Sequence, residues 1–323
     1  MQAVSVQSFG GPEELKIAEL PIPSPGKSQV CVKLFAAGIN PVDTYKRAGV
    51  YAQLPQLPYT PGTDGAGIIH AVGEGVTQFR EGDRVWLSGS VTGTYAQYCT
   101  ANLTDVHLLP EAVSFEQGAG IGVVYRTAYR ALFTRVATKP GSVVFVHGAS
   151  GGVGIAAIQL AISHGCTVVG TAGTPAGLEL IRSQGAYAVL HNQEGYMEEV
   201  LAMTPEKKGA DVILEMAAHA NLDKDLKLLK KNGTVVIIGS RGSVEINPRS
   251  LMTTEGNIVG LLGLGSPEEL QSVFDGIQER LEKGSIKPVA GVKFPLSEAA
   301  ESHVEVIEHK MGTTGKVILV IEH

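Results

Sequence analysis

The chain has few of the residues that build disulfide frameworks, metal centres or nucleic-acid grips. Its 323 residues include only three cysteines. Cys31, Cys99 and Cys166 stand far apart, and no Cys-x-x-Cys or Cys/His spacing suited to zinc occurs. An odd, scattered set argues for reduced thiols in a cytosolic setting rather than paired ones. Charged residues are only 18% of the chain and the formal net charge is -6. With no block of like charges, no field draws the protein to nucleic acid or to an anionic membrane. No uncharged apolar run is long enough to cross a bilayer. The opening Met1-Gln2-Ala3-Val4-Ser5-Val6 has neither the basic nor the apolar stretch of a secretory signal. The expected location is therefore the cytoplasm. No internal repeat or low-complexity tract is present.

What the chain does have is glycine, 40 residues of it, between apolar segments that make hydrophobic residues 44% of the whole. That pattern reads as many tight turns in a folded protein, and the length allows two domains with a core each. Up to about residue 120 the texture is β-rich. Short runs such as Gln29-Val30-Cys31-Val32-Lys33-Leu34 and Gly67-Ile68-Ile69-His70-Ala71-Val72 lie between loops marked by Pro21, Pro23 and Pro25 and by Pro58 and Pro61. Near Thr138-Lys139-Pro140-Gly141 the texture changes to alternating strands and helices. The spacing predicts strands at 143–146, 167–170, 186–190, 211–214, 234–238 and 257–262. Helices are predicted at 153–163, 175–183, 196–203 and 222–230 between them, and at 267–283 and 297–310 after them. This alternation specifies an α/β fold with a doubly wound parallel sheet beside a β-rich domain. The closing Lys316-Val317-Ile318-Leu319-Val320 is expected to return to that first domain.

The strand at 143–146 runs into His147-Gly148-Ala149-Ser150-Gly151-Gly152-Val153-Gly154 and then a helix. This is the strand–turn–helix setting in which a glycine-rich turn binds a dinucleotide. Ala149 replaces the first glycine of the usual pattern. Gly151 lets backbone approach a pyrophosphate, Gly154 lets helix pack on strand, and the helix N-terminus offers free N–H groups to phosphate. NAD-specific folds carry an acidic residue at the end of the second strand. Here that strand ends Val169-Gly170-Thr171-Ala172-Gly173-Thr174, without Asp or Glu, which favours NADPH. No Arg or Lys stands in this turn either, so the 2′-phosphate needs donors from elsewhere, with Lys310 and Asn192 as candidates.

Taken together, several motifs resemble the ζ-crystallin-like quinone oxidoreductases of the medium-chain dehydrogenase/reductase superfamily. They are Phe9-Gly10-Gly11-Pro12-Glu13, Gly38-Ile39-Asn40-Pro41-Val42-Asp43-Thr44-Tyr45, Tyr59-Thr60-Pro61-Gly62-Thr63-Asp64, Gly82-Asp83-Arg84-Val85, Tyr125-Arg126-Thr127-Ala128-Tyr129-Arg130, the glycine turn, and Gly239-Ser240-Arg241-Gly242 with Glu245-Ile246-Asn247-Pro248-Arg249. The resemblance covers nearly the whole chain. It implies a GroES-like catalytic domain (1–123 and 266–323) and a Rossmann NADPH-binding domain (124–265). It also implies NADPH as donor, ortho- or para-quinones as acceptors, and a homo-oligomer, dimer or tetramer. Tyr45 then matches the residue beside the nicotinamide, and Ser150, Gly151, Gly152 and Val153 the pyrophosphate turn. Gly173, Thr174 and Asn192 match the adenosine ribose region, and Thr127 and Asn221 further cofactor contacts. Ile238, Gly239, Ser240 and Arg241, with Leu261, Leu262 and Gly263, match the strand ends near the nicotinamide half. Arg126 and the pair Gly263-Leu264 depart from the family pattern.

The same superfamily holds zinc alcohol dehydrogenases, whose catalytic metal takes Cys, His and Cys ligands. The corresponding loops here carry Asn40, Thr63-Asp64 and Val123-Val124, so no metal is expected, and without a Lewis acid alcohol oxidation is disfavoured. Quinones accept electrons readily and need mainly positioning, with the hard chemistry carried by the cofactor. The family pattern includes one-electron reduction to a semiquinone. Tyr45 and Asn40, with Tyr51 as a further candidate, are expected to hydrogen-bond the acceptor oxygen as it gains charge. His147 reads as a polar residue at a strand end, His303 and His309 as surface residues, and Trp86 as core. Lys227, Lys230 and Lys231 read as a basic cluster on one helix. Two other readings stay open. One is an NADPH-dependent enone or alkenal reductase on the same scaffold. The other is a non-enzymatic role as a structural crystallin or a weak secondary RNA binder, against which stand the acidic charge and an intact dinucleotide turn.

Overall fold

The apolar run Val143–Val146 is buried along its whole length because it lies inside a six-stranded sheet. In a computed structural model that describes residues 1–263 and 265–323, the strands of this sheet are β1 (Val143–Val146), β2 (Thr167–Ala172), β3 (Tyr187–Leu190), β4 (Ala210–Glu215), β5 (Leu229–Ile237) and β6 (Asn257–Gly260). Their order is β3-β2-β1-β4-β5-β6 and every pairing is parallel. This is the order of the doubly wound dinucleotide-binding fold. Strands covered on both faces read as continuous apolar runs, which is why β1, β2 and β4 carry no alternation. Phe145, Val169, Ile213 and Val235 from the sheet pack with Ala218, Leu222 and Leu226 from the helix Ala218–Leu228 in one core.

The helix Gly152–Ser163 follows β1 and is buried from Gly154 to Ala161, so it is apolar all round rather than amphipathic. Its start is set by glycine. A Cβ on Gly154 would lie 2.5 Å from the Cα of Ala149, closer than any side chain allows.

Helix Pro267–Glu282 also belongs with this sheet, which corrects the domain boundary read from sequence. The second compact unit comprises Val124–Ile286 with Gly312–Thr314, and the first comprises Met1–Val123, Lys287–Met311 and Gly315–His323. The helix buries Val273, Phe274, Ile277 and Leu281. Its Gly276 sits against Tyr129, and its Arg280 lies over the rings of Tyr129 and Phe133 at 5.6 and 5.5 Å. The sequence shows an amphipathic helix here but not which core it faces. A second correction concerns the lysine cluster. The preceding helix ends at Leu228, so Lys230 and Lys231 lie on β5, not on a helix with Lys227. Each is ion-paired: Lys227 with Asp223 (2.8 Å), Lys230 with Asp211 (2.7 Å) and Lys231 with Glu255 (3.4 Å).

The first unit is built on a seven-stranded sheet. Its strand order is Ala290–Pro295, Lys316–Val320, Gln29–Gly38, Asp64–Val72, Arg84–Leu87 and Val106–Leu108, with Tyr98–Asn102 also paired to Gln29–Gly38. The closing strand does return here, running antiparallel to Gln29–Gly38. Val32, Leu34, Ile69, Val85 and Leu319 fill the core, and Trp86 is fully buried. A two-stranded sheet, Gln2–Ser5 with Lys16–Glu19, packs on this unit, with Val4 in its core and Val4 N–H donating to the Tyr95 carbonyl at 2.8 Å. Among the described residues, no helix is long and apolar enough to cross a membrane.

Candidate active site

Because the six strands run parallel, their carboxyl ends share one edge of the sheet, where ligands bind in folds of this order. Nearly all the candidate cofactor residues of the second unit fall there. The glycine turn follows β1, with Gly148 in the left-handed region (φ 55°) and Ala149 N–H donating to the Thr171 carbonyl at 2.8 Å. The helix begins on Gly151 with no side-chain cap, so its first N–H groups face outward without a side-chain acceptor. Ser150 is buried, and Gly151, Gly152 and Val153 are half-buried. After β2, Gly173 is exposed, and Thr174 caps the next helix by accepting from Gly177 N–H. Asn192, after β3, donates from Nδ2 to the Gly173 carbonyl at 3.2 Å, so these two candidates are brought together.

The nicotinamide-side candidates follow the remaining strands. Asn221 is on the helix after β4. Ile238, Gly239, Ser240 and Arg241 follow β5, where Ser240 Oγ donates to the Gly242 carbonyl (3.0 Å) and Arg241 N–H to His219 Nδ1 (3.1 Å). Leu261, Leu262 and Gly263 follow β6, and Arg130 Nη1 holds the Leu262 carbonyl at 2.5 Å. Leu264 lies outside the described residues. Thr127 is buried in the helix Gly122–Tyr129, away from these strand ends in sequence. Arg126 and Gly263 are neighbours: a Cβ on Gly263 would sit 3.9 Å from Arg126 Nη2.

His147 does more than end a strand. It is buried with Glu215, the last residue of β4, and Asp225. Its Nε2 lies 2.7 Å from Asp225 Oδ1 and 3.2 Å from Glu215 Oε2. Burial lowers the affinity of this imidazole for a second proton and raises both carboxyl groups above the ordinary range. These three side chains bring one imidazole nitrogen and two carboxyl oxygens within 4.8 Å of one another.

The first unit carries Asn40, expected from sequence to hydrogen-bond the acceptor oxygen. This residue is 1% exposed, and its amide is committed internally. Nδ2 donates to Asp64 Oδ2 at 3.0 Å, and Oδ1 accepts from Lys316 Nζ. Lys316 is itself buried, with Nζ 3.6 Å from Asp64 Oδ2. The other Asp64 oxygen accepts from Val123 N–H at 3.0 Å. Asn40 also caps the helix Pro41–Arg47, its N–H donating to Asp43 Oδ2 at 2.9 Å. That helix carries Tyr45, which is half-buried, and Lys46, whose ammonium lies 5.8 Å from the Tyr51 ring.

His303 is a second correction: it is 1% exposed, not a surface residue, while His309 is exposed. A late helix shows periodicity but not which histidine faces inward. His303 Nδ1 lies 3.3 Å from Arg47 Nη1 and Nε2 3.1 Å from Tyr95 Oη, and Tyr95 donates to Asp43 Oδ2 at 3.2 Å. Since Arg47 can only donate, Nδ1 accepts and Nε2–H donates onward. Lys310, a candidate for the 2′-phosphate, belongs to the first unit and is paired with Glu308 at 2.7 Å.

Residues 152–279 match the zinc-binding dehydrogenase family, and residues 26–125 the alcohol dehydrogenase GroES-like domain. The human quinone oxidoreductase is 46% identical over 99% of this chain and 98% of its own length. The chain belongs to the quinone oxidoreductase family of the medium-chain dehydrogenases/reductases. Among solved structures, an NAD-dependent alcohol dehydrogenase superposes with a TM-score of 0.91 at 30% identity, covering 100% of both chains. The Escherichia coli quinone oxidoreductase complexed with NADPH gives 0.86 at 28%, covering 99% of this chain and 100% of its own.

The matched family description names zinc, and the donors present do not fit it. Of the positions that would supply ligands, Asn40 and Asp64 are tied to each other and to the ammonium of Lys316, and Val123 offers only its N–H. A cation of the chain's own, Lys316, already faces the Asp64 carboxylate, and none of these positions carries a thiolate or an imidazole. Sequence reading missed Lys316. A lysine inside an apolar strand gives no signal of its partner. Glu215 and Asp225 were missed for the same reason, since 68 and 78 residues of chain separate them from His147.

Proposed function

We propose that the chain is an NADPH-dependent quinone oxidoreductase that works without a metal. The observation that carries this reading is its 46% identity with the human quinone oxidoreductase over essentially the full length of both. NADPH, rather than NADH, is supported by the strand end Thr171-Ala172-Gly173-Thr174, where no carboxylate stands to repel a 2′-phosphate. Asn192 lies at that end, its Nδ2 donating to the Gly173 carbonyl at 3.2 Å, and Gly173 is exposed.

Bound NADPH supplies the reducing equivalent. The chain's own residues bind and orient. Ser150 to Val153 and the uncapped helix start take the pyrophosphate. Asn221, Ile238 to Arg241 and Leu261 to Gly263 hold the nicotinamide half. Tyr45 donates its hydroxyl to the quinone oxygen as charge develops there. Asn40 acts indirectly, by capping the helix that carries Tyr45. Tyr51 is a lesser contact, its ring turned to Lys46.

Homo-oligomer formation is part of the proposal and is supported by β6, an edge strand paired only with β5 among the described residues. Cytoplasmic residence is supported by three cysteines that are all unpaired and buried. Oxidation of NADPH in the presence of ortho- and para-quinones tests the activity. Turnover that is saturable in both substrates is expected; no turnover with any quinone overturns the reading.

A further inference from the structure

Three of the segments assigned to the cofactor meet at one buried residue, Glu215. Glu215 Oε1 accepts from the N–H of Ala217 and from Asn221 Nδ2, the latter at 3.4 Å. The Glu215 carbonyl accepts from the N–H groups of Ile238 (2.9 Å) and Gly239 (3.2 Å). Its Oε2 faces His147, the residue that leads into the glycine turn, at 3.2 Å. Asp225 grips the same imidazole at 2.7 Å from the helix that also carries Asn221. Glu215 and Asp225 are both 0% exposed. Burying two carboxyl groups is costly, so packing alone would favour apolar residues here. Their positions serve the strand ends instead: the Glu215 carboxyl reaches the turns after β1 and β4, and the main-chain carbonyl of the same residue holds the turn after β5.

Resting on the cofactor reading above, we propose that Glu215 is a positioning residue for NADPH. With His147 and Asp225 packed behind it, its carboxyl fixes the Ala217 turn and the Asn221 amide, and through them the affinity for the cofactor. Burial raises both carboxyl groups of the cluster above the ordinary range.

The test is a double-mutant cycle on the full chain, read as NADPH dissociation constants by fluorescence and as KM and kcat with a quinone. Asn221→Ala and Glu215→Asp, which draws Oε1 back by one methylene, are each expected to weaken NADPH binding about tenfold. The double variant is expected to lose about tenfold as well, because both remove the same contact. Glu215→Gln, which keeps the Oε1 acceptor, is expected to bind within about twofold of wild type, since rescue by this variant requires only the acceptor. KM for NADPH rises in the weak variants while kcat holds. A roughly hundredfold, additive loss in the double variant overturns the proposal, as does Glu215→Asp binding like wild type or Glu215→Gln binding as weakly as Glu215→Asp. Wild-type protein that binds no NADPH overturns the cofactor reading itself, a result distinct from any of these.

Discussion

Ala149 fits the dinucleotide turn because its neighbour on β2, Gly170, has no side chain. A Cβ at position 170 would lie 2.5 Å from the Cβ of Ala149. The turn has moved its bulk from one strand to the other: where the usual motif has glycine, this chain has alanine, and the space it takes is given up by residue 170. Gly170→Ala is therefore expected to destabilise the second unit by about 1–3 kcal/mol through overpacking. Adding Ala149→Gly is expected to restore most of that loss. Urea unfolding of the two variants checks the pair, and a double variant as unstable as the single one contradicts it.

His303 predicts an acid-sensitive fold. Burial, with the Arg47 guanidinium beside it, pushes its pKa down to about 3, against 6.5 for a free histidine. A depressed folded-state value means the unfolded chain takes up a proton that the folded chain refuses. Its contribution is present above pH 6.5 and is lost as pH falls towards 3. His303→Gln should flatten the decline, by on the order of a few kcal/mol between pH 7 and pH 4. Unfolding free energies of both proteins across that range decide it; parallel curves would sink the assignment.

Lys316 makes a prediction about metal. With its ammonium between Asn40 and Asp64, the protein as isolated should contain no stoichiometric zinc, and chelators should leave its activity unchanged. One zinc per chain by elemental analysis overturns this. Lys316→Met leaves the Asp64 carboxylate without a buried counter-charge and should cost about 3–5 kcal/mol of stability. Adding Asp64→Asn should recover part of it.

How far the sequence could be read follows from which features are local. The strand at 143–146, the glycine turn, the helix at 175–183 and the closing strand at 316–320 are written in contiguous residues, and they stand where periodicity places them. What could not be read is pairing across the chain. His303 needed Tyr95 and Arg47, 208 and 256 residues away, to show that it is buried. Asn40 looked like a donor to the acceptor because its amide partners, Asp64 on Nδ2 and Lys316 on Oδ1, lie 24 and 276 residues on. The helix Pro267–Glu282 was given to the wrong unit because an apolar stripe does not name its partner.

Tyr45→Phe separates chemistry from packing. The ring stays and only the hydroxyl is removed. A donor to a developing oxyanion is worth on the order of a hundredfold in turnover, and a fall of about that size in kcat is expected, with KM for NADPH unchanged. An unchanged kcat would leave Tyr45 a packing residue.

The account's central claim is that a reducing equivalent passes from NADPH to a quinone on this scaffold. The most direct measurement is kcat/KM for a panel of ortho- and para-quinones and 2-alkenals, each with NADPH and with NADH. The account predicts that quinones with NADPH give the highest values. Faster turnover of alkenals, or a preference for NADH, would contradict it.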